Sequence, residues 1–299
     1  MSFNIAYSCD DKYFHHVYVA ITLLRKNISI PLHVNFIHEN IADYKLEQLK
    51  ALTNEHLKIS TYVIDKTKFA EFINEINYQN ASDNTQKCNQ YISHATFMKF
   101  LVADTLPKSL ERVLYLDADT IVYDLDVYET LNIDDYAAAV CEDVAHRSYS
   151  AHIKSLNVNQ FFNTGLVYMN LCEMRSNFNT SHALDVLKSL RNRRVFQDQD
   201  IFNKLISNNS LFMPISNNLL FSYNIPVKRS IRKHASVIHY VGIGKRYPLK
   251  WYVELLKSPY AKLLPRMLID RLKIVILTYM NCLSRFYKYQ IKQKLYIRR

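Results

Sequence analysis

Short apolar runs alternate along the chain with longer stretches in which apolar and polar residues recur at helical spacing. The apolar runs predict strands at 4–9, 32–38, 57–64, 112–116, 137–143, 163–171 and 236–242. The helical spacing predicts helices over 14–26, 43–55, 93–106, 183–190 and 198–206. Strands that alternate with helices are typical of an α/β fold with a mainly parallel central sheet, in which ligands bind beyond the carboxyl ends of the strands.

Composition narrows the class of protein. A chain of 299 residues with 49% hydrophobic and 22% charged residues can fold around a large core. Its five cysteines are scattered without a Cys-X-X-Cys pair, and its first residues lack the basic segment of a secretory signal. These features predict a cytoplasmic protein with reduced thiols. The chain has only three glycines, which excludes a glycine-rich phosphate loop of the P-loop or GxGxxG kind.

The first chemical signal is a pair of carboxylates at the end of an apolar run. In "RVLYLDADTIVYD" (112–124), Asp117 and Asp119 follow a predicted buried strand. In an extended segment, residues two apart point to the same side, so we expect both carboxylates to converge. Hard oxygen ligands suit Mg²⁺ or Mn²⁺, which bridge carboxylates to substrate phosphates. The alternative is a turn that caps the strand, with both acids solvated.

Six motifs, in order, give the chain a resemblance to a known family. They are "YSCDDKY" (7–13), "SHATFMKFLVAD" (93–104), "VLYLDAD" (113–119), "FFNTGLVYMNL" (161–171), "FQDQDIFN" (196–203) and "IHYVGIGK" (238–245). Over roughly residues 3–251 the sequence resembles the family 8 retaining glycosyltransferases, which include bacterial lipopolysaccharide galactosyl- and glucosyltransferases. The resemblance implies the GT-A nucleotide-diphospho-sugar transferase fold, with a mainly parallel central sheet flanked by helices.

The resemblance also implies roles for individual residues. Asp117, Asp119 and His239 match the family's metal ligands, for Mn²⁺ or Mg²⁺, and Asp198 and Gln199 match its catalytic positions. The positions that match donor-binding residues are Ser8, Asp10, Tyr13, Lys99, Ala118, Asp143, Asn163, Gly165, Gly242 and Lys245. Lys99 stands where relatives usually carry Arg, and Lys250 is an alternative to Lys245 as a phosphate contact. Asp200 is interpreted only as an acidic residue that favours a helix N-terminus.

The implied function is a Mn²⁺-dependent transferase that moves galactose or glucose from a UDP-hexose to a lipopolysaccharide or lipooligosaccharide core, with retention of configuration. Attack by Asp198 as a nucleophile and front-face attack assisted by the departing phosphate both stay open. One alternative acceptor is a glycoprotein or another surface glycan. An alternative of another class is a catalytically silent, UDP-sugar-binding membrane scaffold.

The C-terminal segment is strongly basic. Residues 262–299 contain ten Lys or Arg against Asp270 alone, which is +9 of the total charge of +11. Its longest apolar stretch, 274–283, is about half the length that spans a bilayer. We predict a catalytic domain at 1–251 and a basic amphipathic helical region at 252–299 that binds an anionic membrane surface. A helical layer packed on the domain is the alternative.

The expected partners are therefore a UDP-sugar, a lipid-linked oligosaccharide acceptor and an anionic membrane surface. No nucleic acid is expected, because nothing resembling an RNA- or DNA-binding module accompanies the basic segment. The expected location is cytoplasmic, peripheral on the inner face of the cytoplasmic membrane.

Overall fold

The computed structural model describes residues 2–82, 94–144, 149–191, 196–221, 229–242, 247–264 and 266. Its strands are β1 (Phe3–Ser8), β2 (Leu32–His38), β3 (Leu57–Val63), β4 (Arg112–Leu116), β5 (Thr120–Val122), β6 (Ala138–Cys141), β7 (Leu166–Asn170), β8 (Ser210–Met213), β9 (Leu219–Phe221) and β10 (Val237–Tyr240). Its α-helices are α1 (Phe14–Asn27), α2 (Asp43–Lys50), α3 (Lys66–Ser82), α4 (Val102–Thr105), α5 (Asp126–Thr130), α6 (Ser150–Ser155), α7 (Leu171–Asn177), α8 (Thr180–Ser189), α9 (Asp198–Ile206), α10 (Arg229–Lys233) and α11 (Leu249–Lys257). Short 3₁₀ helices lie at His94–Leu101, Ser207–Asn209, Ile215–Asn218 and Ala261–Leu263.

The central sheet is parallel except for one strand. Its order is β3-β2-β1-β4-β7-β6-β8, and β7 runs antiparallel to both of its neighbours, β4 and β6. The reversal brings the N-terminal end of β7 beside the C-terminal ends of β4 and β6. Residues that precede β7 therefore meet residues that follow β4 and β6 at one edge of the sheet.

Alternating side chains of the sheet feed two hydrophobic cores. In β1, Ile5 and Tyr7 pack in one core and Ala6 in the other; in β4, Leu114 and Leu116 alternate with Val113 and Tyr115 in the same way. The first core packs against α1 and α11, and the second against α3, α8 and α9. Both faces of the sheet are thus covered, which explains why its strands are continuous apolar runs.

A second, small sheet carries part of the site. Its order is β5-β10-β9, and β10 pairs antiparallel with β5 and parallel with β9. The register places His239 opposite Thr120, only one residue after Asp119. A strand from late in the chain is thereby fixed beside the carboxylates that follow β4.

The helix predicted over 93–106 is confirmed, and most of it is a 3₁₀ helix. The structure has a 3₁₀ helix at His94–Leu101 that continues as α4. In a 3₁₀ helix, residues three apart lie on the same side. This spacing stacks Phe97 and Phe100 with ring centroids 6.4 Å apart, and Phe100 also stacks on Phe72 and Phe202. The tighter turn therefore serves an aromatic core.

Helix α11 crosses the predicted boundary between residues 251 and 252. Its Trp251 is buried, stacks on Tyr247 at 4.2 Å between ring centroids, and joins α11 to the first core. The basic segment 267–299 lies outside the described residues, so its helical, membrane-binding character stays a prediction. Within the described ranges, the structure has no helix with both the length and the apolarity needed to cross a bilayer.

Candidate active site

A cavity of about 250 Å³ opens at the carboxyl edge of β1 and β4. Its lining residues come from the ends of those strands and from the start of the first 3₁₀ helix: Ser8, Cys9, Asp10, Tyr13, Ala95, Thr96, Tyr115, Asp117, Ala118 and Asp119. Six of these residues, the exceptions being Cys9, Ala95, Thr96 and Tyr115, are candidate site residues from the sequence. This is the edge at which α/β sheets bind their ligands.

Asp117 and Asp119 converge as predicted, but the predicted geometry is wrong. The segment between β4 and β5 is a turn, closed by the Thr120 N–H donating to the Asp117 carbonyl oxygen at 3.2 Å. The Thr120 hydroxyl donates to the same oxygen at 2.8 Å. The turn, rather than an extended strand, brings the two side chains to one side, because residues 117–119 must connect β4 to a strand of the second sheet.

His239 completes a group of three side chains that could hold a metal ion. One donor atom from each of Asp117, Asp119 and His239 lies within 4.8 Å of the others, and His239 Nε2 is 3.1 Å from Asp119 Oδ1. Two carboxylates and an imidazole are a suitable donor set for Mn²⁺, and the two carboxylates also suit Mg²⁺. Asp119 and His239 are both buried, so the cation would also neutralise negative charge in a place that water screens poorly.

Gly165 makes room for the imidazole. A Cβ atom at this position would lie 2.0 Å from His239 Cε1 and 2.5 Å from Nδ1. The Gly165 carbonyl also accepts the Asp117 N–H at 2.8 Å. Glycine is required here by this close approach of the His239 ring.

Lys99 is a buried cation between two carboxylates. Its side chain is 1% exposed, and its Nζ lies 2.8 Å from Asp198 Oδ2 and 3.3 Å from Asp117 Oδ1. Burial alone would lower the pKa of Lys99, but the charges of Asp117 and Asp198 outweigh burial and raise it. Lys99 therefore stays protonated and joins a metal-ligand position to a catalytic candidate.

Amide side chains join the other predicted sugar-side residues. Gln199 Nε2 donates to Asp143 Oδ2 at 2.9 Å, and Gln199 Oε1 accepts from Asn163 Nδ2 at 3.2 Å. Asp198 Oδ2 accepts from the Thr164 hydroxyl at 3.0 Å in addition to Lys99. Asp143, Asn163, Asp198 and Gln199, far apart in sequence, thus form one buried group beside the candidate metal ligands.

The residues predicted to contact the nucleotide gather at the end of β1. Asp10 Oδ1 accepts the Tyr13 N–H at 2.9 Å, and the Tyr13 ring stacks on His16 with centroids 4.1 Å apart. Ser8 Oγ is 2.9 Å from the Tyr115 hydroxyl, which donates to Asp117 Oδ1 at 3.1 Å. Burial raises the pKa of Tyr115 above its usual range, so the hydroxyl remains a proton donor.

Three further positions differ in how the structure places them. Gly242 is exposed, with φ +86°, a backbone conformation that favours glycine. Lys245 lies outside the described residues, and the alternative Lys250 places its Nζ 4.0 Å from the centroid of the Tyr123 ring. Asp200 is fully buried, and accepts the Phe196 N–H while pairing with His152 at 2.9 Å, so it does more than favour a helix N-terminus.

Several residues of the site were not predicted from the sequence. Tyr115 was assigned only to a buried strand, although a tyrosine among aliphatic residues at a strand end was a usable signal. Thr164 lies inside the motif "FFNTG", and Asn218 lies in a 3₁₀ helix before β9. Asn218 is 1% exposed and donates from Nδ2 to Asn163 Oδ1 at 3.1 Å. Nothing in its local sequence distinguished Asn218 from the other asparagines.

Two curated bacterial proteins are similar to this chain over most of its length. The lipopolysaccharide 1,2-glucosyltransferase of Escherichia coli (strain K12) is 28% identical over 285 residues, which cover 88% of this chain and 80% of that protein. The lipopolysaccharide 1,3-galactosyltransferase of Salmonella typhimurium is 26% identical over 278 residues, which cover 86% of this chain and 78% of that protein.

Solved structures confirm the GT-A fold. The galactosyltransferase LgtC, in complex with donor and acceptor sugar analogues, superposes with a TM-score of 0.65 at 17% identity, over 89% of this chain and 95% of that one. An active-site mutant of LgtC gives a TM-score of 0.67, also at 17% identity, over 81% of this chain and 89% of that one. The sequence model "Glycosyl transferase family 8" matches residues 4–246. The chain therefore belongs to glycosyl transferase family 8 and is a nucleotide-sugar-dependent glycosyltransferase.

Proposed function

We propose that this chain is a divalent-metal-dependent retaining transferase, which moves galactose or glucose from a UDP-sugar to a lipopolysaccharide or lipooligosaccharide core. The observation that carries the proposal is the grouping of Asp117, Asp119 and His239 beside a cavity at the carboxyl edge of the sheet. A bound Mn²⁺ or Mg²⁺ would supply Lewis-acid stabilisation of the diphosphate leaving group. The chain's own residues would bind and orient the rest of the donor.

The polar residues near the candidate metal ligands form two groups. Ser8, Asp10 and Tyr13 lie at the end of β1, where Asp10 and the Tyr13 ring would contact uridine and ribose. Asp143 and Gln199 lie beyond the metal ligands, where their polar atoms would orient the sugar ring. Lys99 keeps Asp198 and Asp117 in place, so that a cation held by Asp117 would meet the negative charge developing on the leaving group without rearrangement of these side chains.

The contacts of Asp198 bear on the mechanism. Its Oδ2 atom already accepts from Lys99 Nζ at 2.8 Å and from the Thr164 hydroxyl at 3.0 Å. Two donors, one of them charged, reduce the nucleophilicity of this oxygen. The arrangement favours front-face attack, in which Asp198 orients the sugar and the departing phosphate accepts the proton of the acceptor hydroxyl.

The two bacterial relatives support the acceptor class. Both are named for transfer to lipopolysaccharide, one as a glucosyltransferase and the other as a galactosyltransferase, so both hexoses belong in the proposal. A lipid-linked acceptor accords with the basic segment 262–299, which we propose holds the enzyme on the anionic inner face of the cytoplasmic membrane.

Thermal unfolding with UDP, with and without Mn²⁺, tests the site. A ligand at 100 times its dissociation constant adds about 2.7 kcal/mol to the stability of the folded state. We expect UDP to stabilise the protein only when Mn²⁺ is present, and Asp119→Ala to abolish the shift. Asp124→Ala is the matched control, because Asp124 is an exposed carboxylate five residues away, outside the cavity lining.

Turnover then separates the candidate functions. Transfer from UDP-glucose or UDP-galactose to a lipooligosaccharide core, but not to a glycoprotein, is the expected result. Transfer to the glycoprotein alone would replace the acceptor class. Donor binding without transfer or donor hydrolysis would favour the silent scaffold, and no stabilisation by UDP with Mn²⁺ would overturn the metal-dependent site.

A further inference from the structure

One side chain, Asn163, holds the imidazole of His239. Asn163 Oδ1 lies 2.9 Å from His239 Nδ1, while His239 Nε2 lies 3.1 Å from Asp119 Oδ1. The two ring nitrogens therefore face different partners, and the ring is 4% exposed. The proton on Nδ1 decides whether Nε2 can offer a lone pair, so the identity of the Asn163 atom that faces Nδ1 matters.

The neighbours of Asn163 settle the orientation of its amide. The Gly165 backbone N–H, which can only donate, lies 3.0 Å from the Asn163 atom that faces His239. That atom is therefore the carbonyl oxygen. On the other side, Asn163 Nδ2 faces Asp143 Oδ2 and Gln199 Oε1, both at 3.2 Å. With the amide reversed, its oxygen would face the oxygens of Asp143 and Gln199, and its NH₂ group would face the Gly165 N–H.

An oxygen at this place requires His239 Nδ1 to be the donor. In the neutral ring, the lone pair then lies on Nε2, the nitrogen nearest Asp119. Building on the metal-dependent function proposed above, we propose that Asn163 is the positioning residue that fixes His239 as a metal ligand through Nε2, supported by Asn218. Hydrogen bonds to the second nitrogen of a metal-bound histidine commonly set its tautomer and orientation.

This role uses all of the hydrogen-bonding capacity of Asn163. Its Oδ1 has two lone pairs and already faces three donors, those of Gly165, Asn218 and His239. Its Nδ2 has two hydrogens and faces two acceptors, those of Asp143 and Gln199. No donor or acceptor remains for a sugar hydroxyl. Asn163 therefore acts on the metal ligand instead of contacting the donor sugar directly, the role implied by the sequence resemblance.

Asn218 supports Asn163 from behind. It is 1% exposed, and its Nδ2 donates to Asn163 Oδ1 at 3.1 Å. Asn218 directly precedes β9, the strand that pairs with β10. The second sheet is thus joined to the segment before β7 by the hydrogen bond between Asn218 and Asn163 as well as by the imidazole of His239.

The test is the affinity for Mn²⁺ in the presence of UDP, measured from the electron paramagnetic resonance signal of free Mn²⁺. We expect Asn163→Ala to weaken Mn²⁺ binding about 10- to 100-fold, the usual effect of losing such a partner. Asn218→Ala should weaken it less, because it removes only one of three donors to Asn163 Oδ1. Asn170→Ala is the matched control: Asn170 is a buried amide with several hydrogen bonds at the opposite end of β7, and its loss should leave Mn²⁺ affinity unchanged.

A second measurement needs no variant. Nitrogen-15 spectra of histidine-labelled protein with Mg²⁺ and UDP, assigned with His239→Gln, should show the proton of His239 on Nδ1. A proton on Nε2 with a bare Nδ1 would overturn the proposal even where Asn163→Ala does not fold. Wild-type Mn²⁺ affinity in folded Asn163→Ala would overturn it as well while leaving the metal-dependent function standing, whereas absence of Mn²⁺ binding by the wild type would overturn both.

Discussion

Gly165→Ala is a small change that should disable the proposed metal ligands. The added Cβ would lie 2.0 Å from His239 Cε1, 2.5 Å from Nδ1 and 2.8 Å from Nε2. Carbon atoms in contact prefer separations of about 3.5–4.0 Å, so the ring and the start of β7 must separate by about 1.5 Å. The ring cannot retreat freely, because Asn163 and Asp119 hold it from two directions.

The expected size of the effect follows from this crowding. One extra methyl group forced into a well-packed interior costs about 1–3 kcal/mol of stability. If the imidazole moves instead, it leaves both of its partners, and we expect Mn²⁺ affinity to fall at least about 10-fold, as it does when the support of a ligand is lost. Stability and metal binding should therefore both decrease.

Urea denaturation and Mn²⁺ titration of four proteins would measure this: the wild type, Gly165→Ala, His239→Ala and the double variant. Because the clash is with the imidazole, Gly165→Ala should cost little stability once His239 is alanine, giving a coupling of about 1–3 kcal/mol between the two sites. An unchanged cost in the His239→Ala background would refute the reasoning. So would wild-type Mn²⁺ affinity in Gly165→Ala.

Three other perturbations have expected outcomes. Lys99→Met removes the cation between Asp117 and Asp198 and should lower the free energy of unfolding, measured by urea denaturation, by about 3–5 kcal/mol. Lys99→Arg keeps the charge and should lower it less. Equal losses in the two variants would contradict a charge effect. Burial lowers the pKa of His15 to about 4, so the unfolded state binds a proton first as the pH falls. The free energy of unfolding should therefore decrease by about 2–3 kcal/mol as the pH falls from 6.5 to 4. His15→Gln should reduce that pH dependence. The same dependence of stability on pH in His15→Gln and the wild type would exclude His15 as its source. Trp251 is 1% exposed, so Trp251→Ala should lower the free energy of unfolding by about 3–5 kcal/mol. A urea midpoint within error of the wild type would show that α11 does not stabilise the domain.

The positions of the strands could be predicted because each is a local apolar run. The predicted strands 32–38 and 112–116 match β2 and β4 at both ends. The direction of β7 could not be predicted from its sequence, because an apolar run in a buried sheet reads the same in parallel and antiparallel pairing. That direction decides that Asn163 and Gly165, which precede β7, lie beside the residues that follow β4.

The candidate site shows the same division between local and long-range information. The approach of Asp117 to Asp119 was predictable from spacing, although a turn and not an extended strand produces it. His239 could be included only through the family resemblance, since its approach depends on the pairing of β10 with β5. Asn218 could be predicted neither from local spacing nor from the family resemblance, because its partner Asn163 lies 55 residues away in the sequence.

The placement of His239 in β10 has a consequence for how the protein is made. When the nascent chain has emerged from the ribosome as far as β9, the carboxylates of Asp117 and Asp119 and the amide of Asn163 are present, but the imidazole of His239 is not. In the described part of the chain, β10 is the strand that joins β5 to β9. The nascent enzyme therefore cannot complete the proposed metal-ligand set until β10 has emerged and paired. If the proposed metal site is correct, an unfinished polypeptide would lack the full affinity of the mature enzyme for divalent cations.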